Sequence, residues 1–317
     1  MQKRSLGKTG LEIAPLVLGG NVFGWTVDQE QSFALLDRFI DAGLDAIDTA
    51  DSYSTWVPGN HGGESETIIG QWLKARSARD RVTLITKVGS KLGDFERGLR
   101  GPDVIARAED SLRRLQTDHI DLYLSHWPDP ATPYEETLRA YEQLIADGKV
   151  RAIGASNLDA SQLREALAVA DQLGLPRYAV QQPEYNLYDR AGFESGLREL
   201  CIAEAQGVIT YYSLASGFLT GKYRSSDDLG KSVRGEGVAK YLDARGMRIL
   251  AALDRVSQTH NAAPAEVALA WLMAREGVTA PIASATSAEQ LDSLVRATGL
   301  VLSSADKDLL DTASVAG

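Results

Sequence analysis

The sequence predicts an α/β fold, a closed (β/α)8 barrel, on three observations. Short apolar runs alternate with amphipathic segments along the whole chain. The runs are near-continuously apolar, as strands buried on both faces should be. Eight such units fit within 317 residues, where a barrel of this kind needs about 250. Strict alternation also implies parallel pairing. An open, doubly wound sheet is the competing arrangement. No Pro/Gly/Ser-rich linker divides the chain, so residues 1–317 read as a single domain.

The elements follow in order. RSLGKTGLEIA (4–14), with Thr9-Gly10 at its turn, reads as a β-hairpin placed to cap the barrel floor. PLVLGG (15–20) is the first barrel strand. In 29–43, Phe33, Leu36, Phe39 and Ile40 recur at helical spacing up to Gly43. LDAID (44–48) is a strand, 64–76 a helix, RVTLITK (81–87) a strand, and 101–115 a helix opened by Pro102. HIDLYLSH (119–126) is a strand, and 134–148 a helix ended by Gly148. VRAIGAS (150–156) and YAVQQ (178–182) are strands around a helix over 158–174. A helix over 193–207 leads to the strand VITYYS (208–213). Helices over roughly 241–260 and 264–276 precede the last strand, TAPIAS (279–284). The last helix is 287–298, followed by a short tail.

Composition narrows the function. Apolar residues make up 44% of the chain, and the net charge is −10. Nucleic acid and anionic membrane surfaces demand clustered cations, so neither is an expected partner. The single cysteine, Cys201, rules out an intrachain disulfide and fits a reducing compartment. No apolar run approaches the roughly 18 residues of a membrane span. The first residues lack a secretory apolar core. A cytoplasmic protein is expected. His61, His119, His126 and His260 are scattered without metal-ligand spacing, so no metal site is expected. GGNVFG (19–24) is not the dinucleotide fingerprint GxGxxG. GFLTGKY (217–223) falls one residue short of a phosphate-loop spacing.

In a parallel barrel, chemistry sits at the C-terminal ends of the strands. Strand one ends in Gly19-Gly20-Asn21 and strand two in Asp48, with Tyr53 in the loop beyond. Strand three ends in Lys87 and strand four in His126. The remaining strands end in Ser156-Asn157, Gln182, Tyr212-Ser213 and Ser284 onward. Singly, each has a bland reading: a solvated Lys, a turn-forming Asp, a packed Tyr. Jointly, Asp, Tyr, Lys and His fall at one rim. A free phenol has a pKa near 10 and is a poor acid at neutral pH. An adjacent ammonium is expected to lower that value, and a carboxylate to hold the ammonium in place. A histidine beside the phenol can orient a carbonyl. Such a set donates a proton to a carbonyl oxygen as it gains charge.

At these residues the chain resembles a known family. LGKTGLEIAPLVLGG, AIDTADSY, LITKVG, SLRRLQTDHIDLYLSHWP, VRAIGASN, VQQPEYNL, YYSLASGFLTGKY and APIASATSAEQL resemble the aldo-keto reductases, in order and over nearly all residues. The resemblance implies a TIM barrel binding a nicotinamide cofactor, usually NADPH with NADH possible, and hydride transfer to the carbonyl carbon of a small-molecule substrate. Tyr53 would be the general acid, Lys87 and Asp48 its tuning pair, and His126 the carbonyl-orienting residue. Ser156, Asn157 and Gln182 would hold the nicotinamide carboxamide, and Tyr212 would stack on the ring. Ser213, Leu214, Gly217 and Lys222 would follow the pyrophosphate. The segment from Ser284 through Thr286 to Gln290 would face the adenosine, with Gly20 and Asn21 completing the cofactor contacts.

Two departures bear on specificity. Relatives that use NADPH often carry Arg or Lys after strand eight, where Thr286 and Ser287 stand here. Lys231, Arg234 and Arg275 are candidate substitutes, and Leu294 replaces an asparagine of the family pattern. Phe23, Trp25, Trp56, Trp127 and Phe218 are candidates for an apolar substrate pocket. Asp51 reads as a turn-stabilising carboxylate and Cys201 as packing. The alternative function is a cofactor-binding, redox-sensing regulatory subunit with slow turnover.

Overall fold

The computed structural model describes residues 2–315. β1 (Arg4–Ser5) and β2 (Glu12–Ile13) form an antiparallel hairpin. Eight further strands close a parallel barrel: β3 (Val17–Gly19), β4 (Ala46–Asp48), β5 (Thr83–Val88), β6 (Ile120–Ser125), β7 (Val150–Ser156), β8 (Val180–Gln182), β9 (Gly207–Thr210) and β10 (Ala280–Ala283). β10 pairs back onto β3, with Ile282 opposite Val17. The predicted (β/α)8 barrel and its hairpin are therefore both present.

Side chains on a strand alternate between faces, and this divides the core in two. Val17, Ala46, Ile85, Leu122, Ala152, Val180, Ile209 and Ala280 fill the barrel interior. Leu6 and Ile13 of the hairpin join that inner cluster, so the hairpin plugs the floor. Their neighbours Leu18, Ile47, Leu84, Tyr123 and Ile153 belong to the outer core beneath the helices. Each fully buried aliphatic side chain contributes about 1.5–3 kcal/mol, and both faces of every strand are used.

The first five helices are α1 (Gln29–Asp41), α2 (Glu64–Arg76), α3 (Gly101–Leu115), α4 (Tyr134–Ala146) and α5 (Ala160–Leu173). Asp28 caps α1, and Asp159 caps α5 in a reciprocal pair with Gln162. The segment expected as one helix over 193–207 is broken. It forms α6 (Ala191–Glu194) and α7 (Leu197–Ala203), separated at Gly196, whose φ is +95°. β9 stops at Thr210 rather than Ser213, because Tyr212 adopts φ +51° and leaves the extended region. α8 (Gly235–Val238), α9 (Ala244–His260), α10 (Pro264–Met273) and α11 (Ala288–Ala297) follow. Among the described residues, no helix is long and apolar enough to cross a membrane.

α11 is not the last helix, and the expected short tail is corrected by α12 (Ser304–Ser314), which packs on α9. Ser303 starts it, exchanging hydrogen bonds with Asp306. Its apolar stripe is thin, with Leu310 its one buried aliphatic residue, so periodicity hides it. Its anchor is polar: Asp311 accepts from Arg190, Trp271 and Arg275.

α2 meets the C-terminal end of α3 at Gly70, where a Cβ would come within 2.2 Å of the Arg114 carbonyl oxygen. Alanine is the better helix former by about 1 kcal/mol, but a backbone contact that short forces the helices apart. Overpacking of this kind costs about 1–3 kcal/mol. Gly70→Ala is expected to lower stability in urea unfolding; an unchanged or raised midpoint would mean that α2 shifts freely.

Candidate active site

The two-residue period places the polar residues. Asp48 lies two residues beyond Ala46, Lys87 two beyond Ile85, His126 two beyond Leu124, Gln182 two beyond Val180, and Ser284 two beyond Ile282. Each continues the inward phase of its strand, one layer above the apolar interior. Tyr53 arrives from the loop after β4. That loop is held by Ser54, which has φ +74° and donates its hydroxyl to the Phe23 carbonyl at 2.9 Å.

Lys87 is the centre of the cluster and is fully buried. Its Nζ donates to Asp48 Oδ2 at 2.7 Å, to the Thr49 carbonyl at 2.8 Å and to the Tyr53 hydroxyl at 2.7 Å. Three acceptors match the three protons of an ammonium. Asp48 is held on both oxygens, because its Oδ1 accepts from Gln182 Nε2 at 2.8 Å. The Tyr53 hydroxyl reaches Asp48 Oδ2 only at 3.3 Å. Its hydroxyl is thus only weakly hydrogen-bonded and free to turn to a better acceptor in the cavity that Tyr53 lines.

Electrostatics correct one expectation. Burial, followed by the Asp48 carboxylate, raises the Tyr53 phenol well above its ordinary value; the lowering expected from the ammonium does not prevail. Burial also lowers the Lys87 ammonium, opposed chiefly by Asp48. The resting phenol therefore carries its proton. His126 is pushed well below the ordinary histidine value by burial and by Lys87, Arg107 and Arg97, so its ring is neutral.

A continuous cavity of about 1210 Å³ runs from Tyr53, His126 and Trp127 past Ser156, Asn157 and Gln182 to Ser284, Thr286 and Leu294. Ser156 Oγ donates to the Gln182 carbonyl at 2.8 Å, and Asn157 Nδ2 to the His126 carbonyl at 2.8 Å. Tyr211, missed by the sequence pattern, donates its hydroxyl to Asn157 Oδ1 at 2.6 Å. Tyr212 stands half exposed on the wall. Beyond it Ser213, Leu214, Ser216, Gly217 and Lys222 continue the lining. Ala215 and Ser216 join Tyr212 at positive φ, +48° and +56°; such clusters of non-glycine residues store backbone strain that the surrounding structure must hold. Ser284 bonds Asn21 at 2.5 Å, and the Thr286 amide donates to Gln290 Oε1 at 2.9 Å.

Several expected positions fall elsewhere. Gly20 is buried in a 3₁₀ turn under Ser65, and its neighbours Gly19 and Asn21 line the cavity instead. Phe23 and Phe218 are fully buried in the outer core. Trp25 lies outside the lining and backs Trp56 edge-on at 5.6 Å. Trp56 and Trp127 do line the cavity. Of the candidate cations, Arg275 is bound to Glu194 and Asp311 away from the cavity. Lys231 pairs with Asp228. Arg234 lines the cavity, with its guanidinium over the Trp25 ring at 5.1 Å and a buried Nη2 without a hydrogen-bond partner among the described residues.

Sequence reasoning also missed Ser90 and Arg107. Arg107 had a visible signal: it falls on the buried face of α3 with Val104, Ala108, Ser111 and Leu112. A charged residue in that phase needs a buried partner, and Asp51 supplies it at 2.7 Å. Cys201 is buried, as read, and burial pushes its thiol up to about 12.

The family model described as "Aldo/keto reductase family" matches residues 15–314. The uncharacterized oxidoreductase YrpG of Bacillus subtilis (strain 168) is 34% identical over 322 residues, covering 98% of this chain and 94% of that protein. Aldo-keto reductase YhdN of the same organism is 33% identical, covering 98% and 93%. A probable voltage-gated potassium channel subunit beta of Oryza sativa subsp. japonica is 33% identical, covering 92% and 89%. With a barrel whose strand ends converge on one cavity, and with matches of this extent, the chain belongs to the aldo/keto reductase family and is an NAD(P)H-dependent oxidoreductase.

Proposed function

We propose that this chain reduces aldehydes or ketones to alcohols with NADPH, and that Tyr53 is the general acid. The observation that carries this reading is the Lys87 ammonium donating to both Tyr53 and Asp48 at 2.7 Å. As negative charge builds on a carbonyl oxygen, the phenol gives up its proton. The ammonium then faces a phenolate, which it stabilises in a site shielded from water. Neutral His126 supplies an N–H that aligns the carbonyl oxygen with that proton. Asp48 keeps Lys87 charged and in place, and Gln182 keeps Asp48 aimed.

The residues present fit a dinucleotide. The cavity exceeds the roughly 300–1,000 Å³ of a pocket for one small ligand, which leaves room for a coenzyme and a substrate together. When bound, the nicotinamide supplies the hydride. Ser156, Asn157 and Gln182 would border its carboxamide, Tyr212 its ring face, and Ser213, Leu214, Gly217 and Lys222 its phosphates. Arg234 adds an uncompensated cation near the Tyr53 end. At the far end, Thr286 lines the cavity and the N-terminus of α11 would face the 2′-phosphate. Glu289 stands in the same turn and moderates that preference. Trp56 and Trp127 favour aromatic or medium-chain aldehydes over small charged ones. The intact acid–ammonium pair favours an enzyme over a regulatory subunit of slow turnover.

Three outcomes are expected. Tyr53→Phe lowers kcat for aldehyde reduction by about 10²–10⁴-fold while NADPH binding, read by fluorescence titration, persists; an unchanged rate removes Tyr53 from the role of acid. The pH profile of kcat/KM for reduction stays flat from about pH 6 to about pH 9, because the raised phenol keeps its proton and the lowered imidazole stays neutral. A limb near the ordinary histidine value would show His126 titrating. KM for NADPH lies about tenfold below that for NADH, close to 1.4 kcal/mol; parity or an NADH preference counts against the 2′-phosphate seat.

A further inference from the structure

Ser90 follows Gly89 just past the end of β5. Gly89 has φ +111°, and a Cβ there would come within 2.8 Å of Leu99 Cδ2, so this turn requires glycine. It sets Ser90 on the cavity wall. The Ser90 hydroxyl lies 3.0 Å from His126 Nδ1. Among the described residues, no other side chain hydrogen-bonds that ring. The ring lies parallel to Trp127, with centroids 5.6 Å apart, and edge-on to Tyr53 at 6.1 Å.

Ser90 is itself held from below. Its carbonyl accepts from Arg107 Nη1 at 2.7 Å. Arg107 is buried, and its Nε donates to the buried Asp51 at 2.7 Å. Asp51 belongs to the loop that carries Tyr53, two residues earlier, and its amide donates to the Lys87 carbonyl at 3.4 Å. One chain of contacts, Asp51–Arg107–Ser90–His126, thus ties the phenol's loop to the imidazole.

A neutral imidazole carries a single N–H, and the hydrogen bond at one nitrogen decides which nitrogen holds it. If Nδ1–H donated to Ser90, Nε2 would present a lone pair to a carbonyl oxygen and repel it. If the hydroxyl donates to Nδ1, Nε2 carries the hydrogen and attracts that oxygen. We infer that Ser90 is a positioning residue whose hydroxyl donates to His126 Nδ1 and holds the tautomer with hydrogen on Nε2, braced by the Arg107–Asp51 pair. The functional weight of this tautomer rests on the carbonyl-reductase reading; the tautomer itself does not.

Two readouts separate them. In protein labelled with ¹⁵N-histidine, with His126 assigned by its loss in His126→Gln, the wild type is expected to show the Nε2–H tautomer. Ser90→Ala shifts His126 toward the Nδ1–H form or a mixture, and Ser90→Thr restores the wild-type spectrum. In steady-state kinetics, Ser90→Ala lowers kcat for aldehyde reduction by about tenfold, KM for the coenzyme is unchanged, and Ser90→Thr recovers the rate. A wild-type Nδ1–H tautomer, or an Ala variant matching wild type in both readouts, overturns the proposal. A wild type that binds coenzyme yet reduces no carbonyl would sink the reductase reading, and the ¹⁵N spectra would still decide the role of Ser90.

Discussion

The upper half of this barrel is organised around one buried ammonium. Lys87 has no exposed surface, and an unpaired charge so placed is prohibitively costly. Its three donor directions are met by a carboxylate, a main-chain carbonyl and a phenol. Removing one member of a buried pair of this kind typically costs about 3–5 kcal/mol. The constraint spreads outward. Asp48 must be held on its other oxygen by Gln182, and the loop after β4 must return so that Tyr53 closes the third direction. The geometry that satisfies the charge is the same geometry that poises a proton.

The barrel supplies this arrangement through a gradient along its axis. Its floor is sealed by the hairpin's Leu6 and Ile13, and its middle is filled by aliphatic side chains. The inward positions turn polar at the strand ends or just beyond them, at Asp48, Lys87, His126, Ser156, Gln182 and Ser284. A low-dielectric plug beneath and a long cavity above leave the ammonium, phenol and imidazole in surroundings that strengthen their mutual interactions. The same surroundings raise the phenol and lower the imidazole. The pull of the ammonium on the phenol is outweighed at rest by the cost of burying a second charge, so the proton stays on oxygen until an acceptor arrives.

A second polar thread runs outside the barrel wall. Arg107 on α3 bridges Asp51 and the Ser90 carbonyl, and Ser90 meets His126. Helix, strand end and loop are coupled there by hydrogen bonds in a region that could have been purely apolar. Burial raises the Asp51 carboxyl to about 7 against the opposing pull of Arg107. Among the described residues, the hydrogen bonds of this pair reach the cavity lining only through the Ser90 carbonyl, which suits a brace rather than a reactant.

Much of this was legible along the chain. Near-continuous apolar runs between amphipathic segments specify strands covered on both faces, and eight of them in this length favour a closed barrel over the open, doubly wound sheet, a choice the pairing of β10 with β3 settles. The residue that ends each run has its face set by a period of two, so Asp48, Lys87, His126 and Gln182 were readable as neighbours. Helix 304–314 was not, because its anchor is Asp311 reaching Arg190, Trp271 and Arg275 across 121, 40 and 36 positions. Nor was the fate of Phe23, Trp25 and Phe218, since an aromatic in a loop looks alike whether it faces a cavity or the core. Local periodicity carries secondary structure and facing because both are properties of a few consecutive residues. Partners of buried polar atoms, the exposure of loop aromatics and the sign of the shift at Tyr53 depend on which distant groups share one desolvated volume, and only the closed barrel decides that.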